Sequence, residues 1–411
     1  MAGASWGNVY FKDTYAGRLQ EDPGGRHIFA YDDSYLESGQ PAIAHALPLR
    51  HEPYVSERGL HSFFDNLVAE GWFRDAQARA LGIDSRNRIG LLLGFGRDLA
   101  GAVSIIDPEP AEHRQPDHAD DAIIAALTGR GSLSGVQRKL LVVQAGTSFR
   151  PAGPDELSTH IAKLPSGNLA GLLELEFLTT LAVRELLPNE DAVDMQIEIL
   201  AAIGEEALII PRFDRTSTGK RIHFEEFNQL LGNLSGDSKY DAAYEDMGQF
   251  ILKTADCVPA EAIRLLQRVF ACLLVGNTDA HLKNFAMYHR NDGLRLTPAY
   301  DLVGAAIYPE YQTIALSVGG SENIAIGSLL PKHLVAMADG FELSGNALEI
   351  LVDEIGSNLP QALASIEKSD IGTLQLKNRL MSKMEARWKG SFASIGQLLS
   401  RRQSNGAKAS D

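Results

Sequence analysis

With 411 residues, 45% of them hydrophobic and 22% charged, the chain has a globular composition and enough length for two or three cores. Its formal net charge of -15 argues against a protein that coats nucleic acid unaided, since any DNA contact would need a local basic patch. Cys257 and Cys272 both lie in apolar helical stretches, which excludes a secreted disulfide framework and predicts buried free thiols. Residues 1–17 lack the pattern of a signal peptide and no apolar run reaches the ~18 residues of a spanning helix, so a reducing cytoplasm is the expected setting.

The chain opens with sheet. Residues 8–18 and 27–31 alternate aromatic and β-branched side chains around Asp22-Pro23-Gly24-Gly25, which predicts a hairpin. Leu60, Phe63, Phe64, Leu67, Phe73 and Ala76 then follow helical spacing, and residues 87–93 and 98–106 read as helix or strand pieces around Gly94-Phe95-Gly96. Residues 1–108 are thus expected to form a first α+β subdomain. Three prolines, two histidines and many charges without apolar periodicity at 107–121 predict a linker, placed over 109–128. A small sheet lobe is expected over 129–230: strands at 140–143, 160–164, 196–200 and 206–213, a helix over 174–187 stopped by Pro188, and a closing segment at 221–228. From Tyr244 the pattern is mainly helical, interrupted at 294–314, giving a helical lobe over 231–400 and a frayed polar tail at 401–411.

The chemistry concentrates in three places. In GNTDAHLKNF, residues 276–285, Asp279 precedes Asn284 by five, the spacing of the catalytic-loop Asp and magnesium-binding Asn of protein kinases, and His281 completes D-x-H-x-x-N. Phosphoryl transfer needs a carboxylate to orient and deprotonate the attacking hydroxyl and a hard oxygen ligand for Mg²⁺ close by. Asp301, in the strand-like run LTPAYDL with Tyr300 before it, is a second candidate magnesium carboxylate. Upstream, Ser132, Ser134, Gly135 and Val136 precede an apolar strand and suit a loop whose amides cradle phosphates. Lys163 in HIAKLP sits as the phosphate-binding lysine does in V-A-I-K, and on the next helix Glu176, preferred over Glu174, is placed to pair with it. Taken singly these also read as a turn after a helix, a turn cap and a surface lysine at a strand end. Their order, loop, lysine, glutamate, D-x-H-x-x-N, aspartate, is that of a two-lobed kinase.

These segments resemble the HipA-like Ser/Thr kinases over nearly the whole chain. SLSGVQRK at 132–139, THIAKLP at 159–165, PRFDR at 211–215, GNTDAHLKNF and LTPAYDL carry the likeness, with FFDNL at 63–67 and GRDLAGAV at 96–103 similar to the family's N-terminal domain. The resemblance implies an α+β, bilobal, protein-kinase-like (phosphoinositide-kinase-like) fold. It implies Asp279 as catalytic base with His281 supporting its loop, Asn284 and Asp301 as Mg²⁺ ligands, and Lys163 on the ATP phosphates. Glu225, Glu226 and Phe227 would form the adenine-contacting hinge, with Tyr300 also lining the nucleotide site. It further implies an inhibitory autophosphorylation on Ser132, or on Ser134 beside it, where about two added negative charges would oppose the ATP phosphates. An aminoacyl-tRNA synthetase as substrate, a HipB-like helix-turn-helix antitoxin and DNA contact through that complex are implied in the same way. The alternatives are a small-molecule phosphotransferase and a non-enzymatic corepressor that keeps the fold. Lys377, Arg379, Lys383, Arg387 and Lys389, at helical spacing, are expected to form a solvated basic face.

Overall fold

The structure is a computed structural model that describes residues 5–109, 137–153 and 156–408. Most of the expected linker, the loop residues Ser132, Ser134, Gly135 and Val136, and the last three residues lie outside the described residues. The chain divides into two compact units, one of Met1–Ser166 with Asp194–Ser238, the other of Gly167–Val193 with Lys239–Asp411.

The first unit holds two five-stranded antiparallel sheets. In one, β1 (Trp6–Phe11), β2 (Thr14–Glu21), β3 (His27–Tyr31), β4 (Tyr54–Ser56) and β5 (Val103–Ile106) are ordered β4-β3-β2-β1-β5. Strand alternation turns Val9 and Phe11 of β1 into a core shared with Phe29, Tyr31, Phe63 and Phe64. The expected hairpin joins β2 to β3, and its turn is made by Asp22, whose carboxylate accepts the Gly24 and Arg26 amides at 2.9 Å each. Helices α1 (Asp33–Glu37), α2 (Ser62–Asn66), α3 (Gly71–Leu81) and α4 (Arg88–Phe95) follow; Asn87 caps the last by accepting the Gly90 amide.

The second sheet is ordered β7-β6-β8-β10-β9, from β6 (Lys139–Ala145), β7 (Ser148–Pro151), β8 (His160–Lys163), β9 (Gln196–Leu200) and β10 (Glu205–Pro211). Leu140, Val142, Ala162, Ala207 and Ile209 pack under it together with Ala69 and Phe73, so α3 is shared between the two sheets' cores. β11 (Phe224–Glu226) and the helical turn Phe227–Leu230 complete the expected closing segment.

Two polar assemblies hold this unit together. In PRFDR, Arg212 grips Asp214 through two hydrogen bonds of 2.8 and 2.6 Å and reaches Asp98 at 3.1 Å, while Arg215 bonds Asp98 at 2.7 Å and Asp214 at 2.8 Å. Asp98 also accepts the Ser158 amide and hydroxyl at 3.0 and 2.7 Å. All four charged side chains are buried, and the set ties the 97–101 segment of the first subdomain to the second sheet. In FFDNL, Asp65 pairs with Arg88 and accepts the Ser235 amide at 2.8 Å. Asn66 donates to the Asn233 carbonyl at 2.8 Å and accepts from Asn228 at 2.7 Å.

The second unit is mainly helical, as expected. Its centre is α7 (Ala260–Val275), with α5 (Leu172–Leu186), α6 (Tyr244–Lys253) and α10 (Leu374–Arg387) against it and α9 (Gly345–Lys368) along α5. α8 (Pro331–Gly340) and α11 (Ile395–Lys408) complete the helices. From Leu265 to Val275 all but Gln267 are buried, because this C-terminal part of α7 is apolar apart from Gln267 and Arg268. The break in the helical pattern is a hairpin of β12 (Ala286–Arg290) and β13 (Gly293–Leu296), followed by irregular chain.

Two expectations are corrected. Asp301 is not in a strand: β13 ends at Leu296, and the Asp301 backbone is left-handed, with φ +56°. Pro298 has no N–H to give the ladder with β12, and Ala299 pairs instead with residues 191–193 before the chain turns at Asp301. The basic helix is not a uniform solvated face either. Arg379, Lys383 and Lys389 are exposed, but Arg387 is buried and donates to the Leu274 carbonyl at 2.9 Å.

Candidate active site

The candidate catalytic loop is hung from the end of α7. Gly276 closes the helix in a left-handed conformation, φ +83°, and its amide donates to the Cys272 carbonyl at 3.0 Å. A Cβ at Gly276 would fall on the Arg387 guanidinium, so both the conformation and the space require glycine. Beyond it each residue is fixed by a different partner. Asn277 donates to the Asp301 carbonyl at 3.2 Å, Thr278 to the Tyr311 carbonyl at 2.9 Å, and the Ala280 carbonyl accepts the buried Tyr244 hydroxyl at 2.9 Å. A 3-10 turn over Leu282–Asn284 then lets the Asn284 side-chain oxygen accept the His281 amide at 3.1 Å.

These bonds bring three of the expected residues together. The Asn284 side-chain amide donates to Asp301 Oδ2 at 2.7 Å. Asp301 is thus held by Asn284 at its side chain and by Asn277 at its carbonyl, which offsets a left-handed backbone costing an L-residue about 1 kcal/mol. Asp279 opens to solvent, yet protein crowds its carboxyl. Burial raises its pKa above the ordinary carboxylate value, the Asp301 charge adds to the rise, and a Tyr240 hydrogen bond and the Lys239 ammonium partly oppose it. His281 is buried, its ring edge-on to Tyr240 at 5.2 Å between centroids. The Tyr300 hydroxyl donates to the Lys283 carbonyl at 2.8 Å, bracing the loop.

Sequence reasoning missed Tyr240, whose hydroxyl donates to Asp279 Oδ1 at 2.9 Å from 39 positions away. Lys239 beside it is buried, its ammonium 5.3 Å from the Tyr240 ring centre. The only signal available was an aromatic and a lysine just before α6.

As a donor set for Mg²⁺, the carboxylate of Asp301 and the amide oxygen of Asn284 are hard ligands of the kind that ion prefers, and the side chains already touch. The Asn284 oxygen now faces the His281 amide, so ligation asks for a turn of that amide group alone. The residues fit the ion.

In the first unit, Lys163 is buried at the end of β8, opposite Lys139 of β6 and Leu208 of β10. Gln137 Nε2 donates to the Leu164 carbonyl at 3.0 Å, which ties residue 137 beside Lys163. Glu225 accepts the His45 amide at 2.6 Å; the Glu226 amide donates to the Gln229 side chain at 3.0 Å, and the Phe227 ring is fully buried. Glu176, on α5 of the second unit, is fully buried whereas Glu174 is half-buried. Both cysteines are free and buried, as expected, and burial pushes the Cys272 thiol up to about 12. Among the described residues, no helix is long and apolar enough to cross a membrane.

An α+β chain in which a D-x-H-x-x-N loop and a following aspartate converge is of the kinase-like class. The comparisons are specific about which. The HipA N-terminal domain matches residues 7–106 and the HipA-like C-terminal domain matches residues 131–363. Y4dM of Sinorhizobium fredii, which is named as a kinase, is 33% identical over 78% of this chain and 82% of its own length. The Serine/threonine-protein kinase toxin HipA of Shewanella oneidensis is 27% identical over 82% of this chain and 83% of its own. A solved Shewanella oneidensis HipA chain, from a complex with HipB and operator DNA, superposes with a TM-score of 0.75 at 22% identity, covering 95% of this chain and 99% of that one. The protein belongs to the HipA family. Its fold is the kinase-like fold expected from the sequence.

Proposed function

We propose that this protein is an ATP- and Mg²⁺-dependent serine/threonine protein kinase. The observation that carries the reading is the Asn284–Asp301 contact of 2.7 Å beside a carboxyl, Asp279, that responds to the Asp301 charge. Residues well apart in sequence make one oxygen-rich centre there. Asp279 would orient a Ser or Thr hydroxyl and take its proton at a carboxylate oxygen as the hydroxyl oxygen attacks the γ-phosphorus, with ADP leaving. The raised pKa makes Asp279 a better proton acceptor than an ordinary aspartate. Mg²⁺, held by Asn284 and Asp301, would offset the charge on the transferring phosphate. By family likeness Lys163 would serve the ATP phosphates and Glu225 to Phe227 the adenine, with Glu176 and Tyr300 further candidates for the nucleotide site.

Within the same reading, Ser132 or Ser134 is the autophosphorylated residue, the substrate is a protein, an aminoacyl-tRNA synthetase by family likeness, and the partner is a HipB-like antitoxin through which DNA is reached. The solved relative's complex with HipB and operator DNA supports the partner. The test is intact mass after incubation with ATP and Mg²⁺, beside Asp279→Ala, with peptide mapping. A phosphate on Ser132 or Ser134 in the parent alone is expected; no gain of mass in a preparation free of prior phosphate would overturn the reading.

A further inference from the structure

The feature left over by the proposed chemistry is Tyr240. A catalytic base has to receive the acceptor hydroxyl within hydrogen-bond distance. Here that place is taken: the Tyr240 phenol donates to Asp279 Oδ1 at 2.9 Å, an ordinary O–H···O separation. The ring is not buried packing that happens to pass by. It is 39% exposed, set edge-on against His281 of the D-x-H-x-x-N loop and close to the buried Lys239 ammonium. The phenol therefore presents to Asp279 the same group, a hydroxyl, that a Ser or Thr side chain would, from a ring with one side open to solvent.

We infer that Tyr240 is a positioning residue that gates Asp279: its hydroxyl fills the acceptor seat on the carboxylate, and a substrate hydroxyl binds by replacing it. This rests on the kinase reading above. Two consequences follow from the geometry. Water, a poor competitor against a tethered phenol, is kept from Oδ1, so hydrolysis of ATP through that oxygen is slowed while no protein substrate is bound. An acceptor must also come with enough contacts of its own to displace the phenol, which favours a hydroxyl carried on a protein surface over a free small molecule. The exposed ring can swing outward without opening a core.

The test uses the full chain with ATP and Mg²⁺, following phosphate release to water across pH for the parent, Tyr240→Phe and Asp279→Asn. Phenylalanine keeps the ring contact with His281 and removes only the hydroxyl. Tyr240→Phe should hydrolyse ATP roughly tenfold faster, the order of a lost hydrogen bond to a charged group at an open position. Its acid limb should move to higher pH, because the phenol bond favours the ionised carboxylate. Hydrolysis by Tyr240→Phe from an inactive parent would support the gate equally. An active parent whose rate and pH limb are unchanged by Tyr240→Phe would overturn the gate and leave the kinase reading intact. Phosphate found on Tyr240 would also overturn it, since the phenol would then be an acceptor. No hydrolysis in parent or variant would overturn the gate, and the kinase reading would still be decided by the autophosphorylation mass.

Discussion

Replacing Asp98 with alanine should destabilise the first unit by about 3–5 kcal/mol, the cost of breaking a buried ion-pair set by removing one partner. Asp98 receives four hydrogen bonds, one each from Arg212 and Arg215 and two from Ser158, at 2.7 to 3.1 Å. With it, two carboxylates face two guanidiniums in the knot; without it, Asp214 alone must serve both. Arg221 worsens the imbalance. Burial and then the nearby Arg215 charge already lower its pKa to about 10. The assay is urea unfolding followed by tryptophan fluorescence in a Trp388→Phe background, leaving Trp6 and Trp72, both in the first unit, as reporters. At a slope of about 2–3 kcal/mol/M, the midpoint should fall by roughly 1–2.5 M. A fall below about 0.3 M would refute the claim that the knot holds the unit together.

The same knot sets an acid limit. Burial alone would raise Asp214, but Arg212 and Arg215 outweigh it and hold it at about 2. A carboxyl depressed on folding stabilises fully above its unfolded value of about 4, and that contribution is lost as pH falls through about 2; unfolding monitored from pH 5 to pH 2 checks it. Asp279 carries the opposite sign. Its raised folded pKa gives stability below the ordinary value that is lost as pH rises through the folded one, so Asp279→Asn should abolish phosphoryl transfer yet leave unfolding at pH 7 unchanged or slightly harder, measured by mass and by urea. Gly276→Ala should cost at least about 1–2 kcal/mol, from the left-handed backbone and the clash with Arg387, and reduce turnover with it; equal stability to the parent would count against the cap. Asp65→Ala should release the Ser235 segment, read as faster amide exchange at residues 233–236, and leave Arg88 without its carboxylate.

What could be read in the sequence was local. D-x-H-x-x-N was legible because one tight turn fixes Asp279, His281 and Asn284 through the bond between the Asn284 side chain and the His281 amide, and a turn of that size survives as spacing. β3 and β8 were legible by alternation and β6 as a buried apolar run, whereas β1 and β2 were read as one stretch, β5 was left between helix and strand, and the short strands β4 and β7 were not read at all, being too brief to show a period. Asp301 was found by its order in the chain while its backbone was misjudged, since a left-handed aspartate leaves no period to detect. Tyr240 and Arg387 were not legible as partners of the loop. Each acts through a single contact made across a long sequence separation, and Arg387 sits in a run of basic residues whose other members do face solvent. Arg212 and Asp98 belong with them: the charges flanking an apolar strand could have been flagged as too many for a surface turn, but not assigned to each other.

Arg387 bears on where this kinase-like domain ends. The HipA-like C-terminal match stops at residue 363, inside α9, yet the guanidinium that meets the last turn of α7 and shapes the Gly276 bend comes from α10. A boundary drawn by family likeness therefore cuts short of the physical one. A fragment ending there would keep every residue of the catalytic motif and lose the side chain that sets the angle at which the motif leaves its helix. Such a fragment is a poor stand-in for the protein, and inactivity in it would say nothing about Asp279.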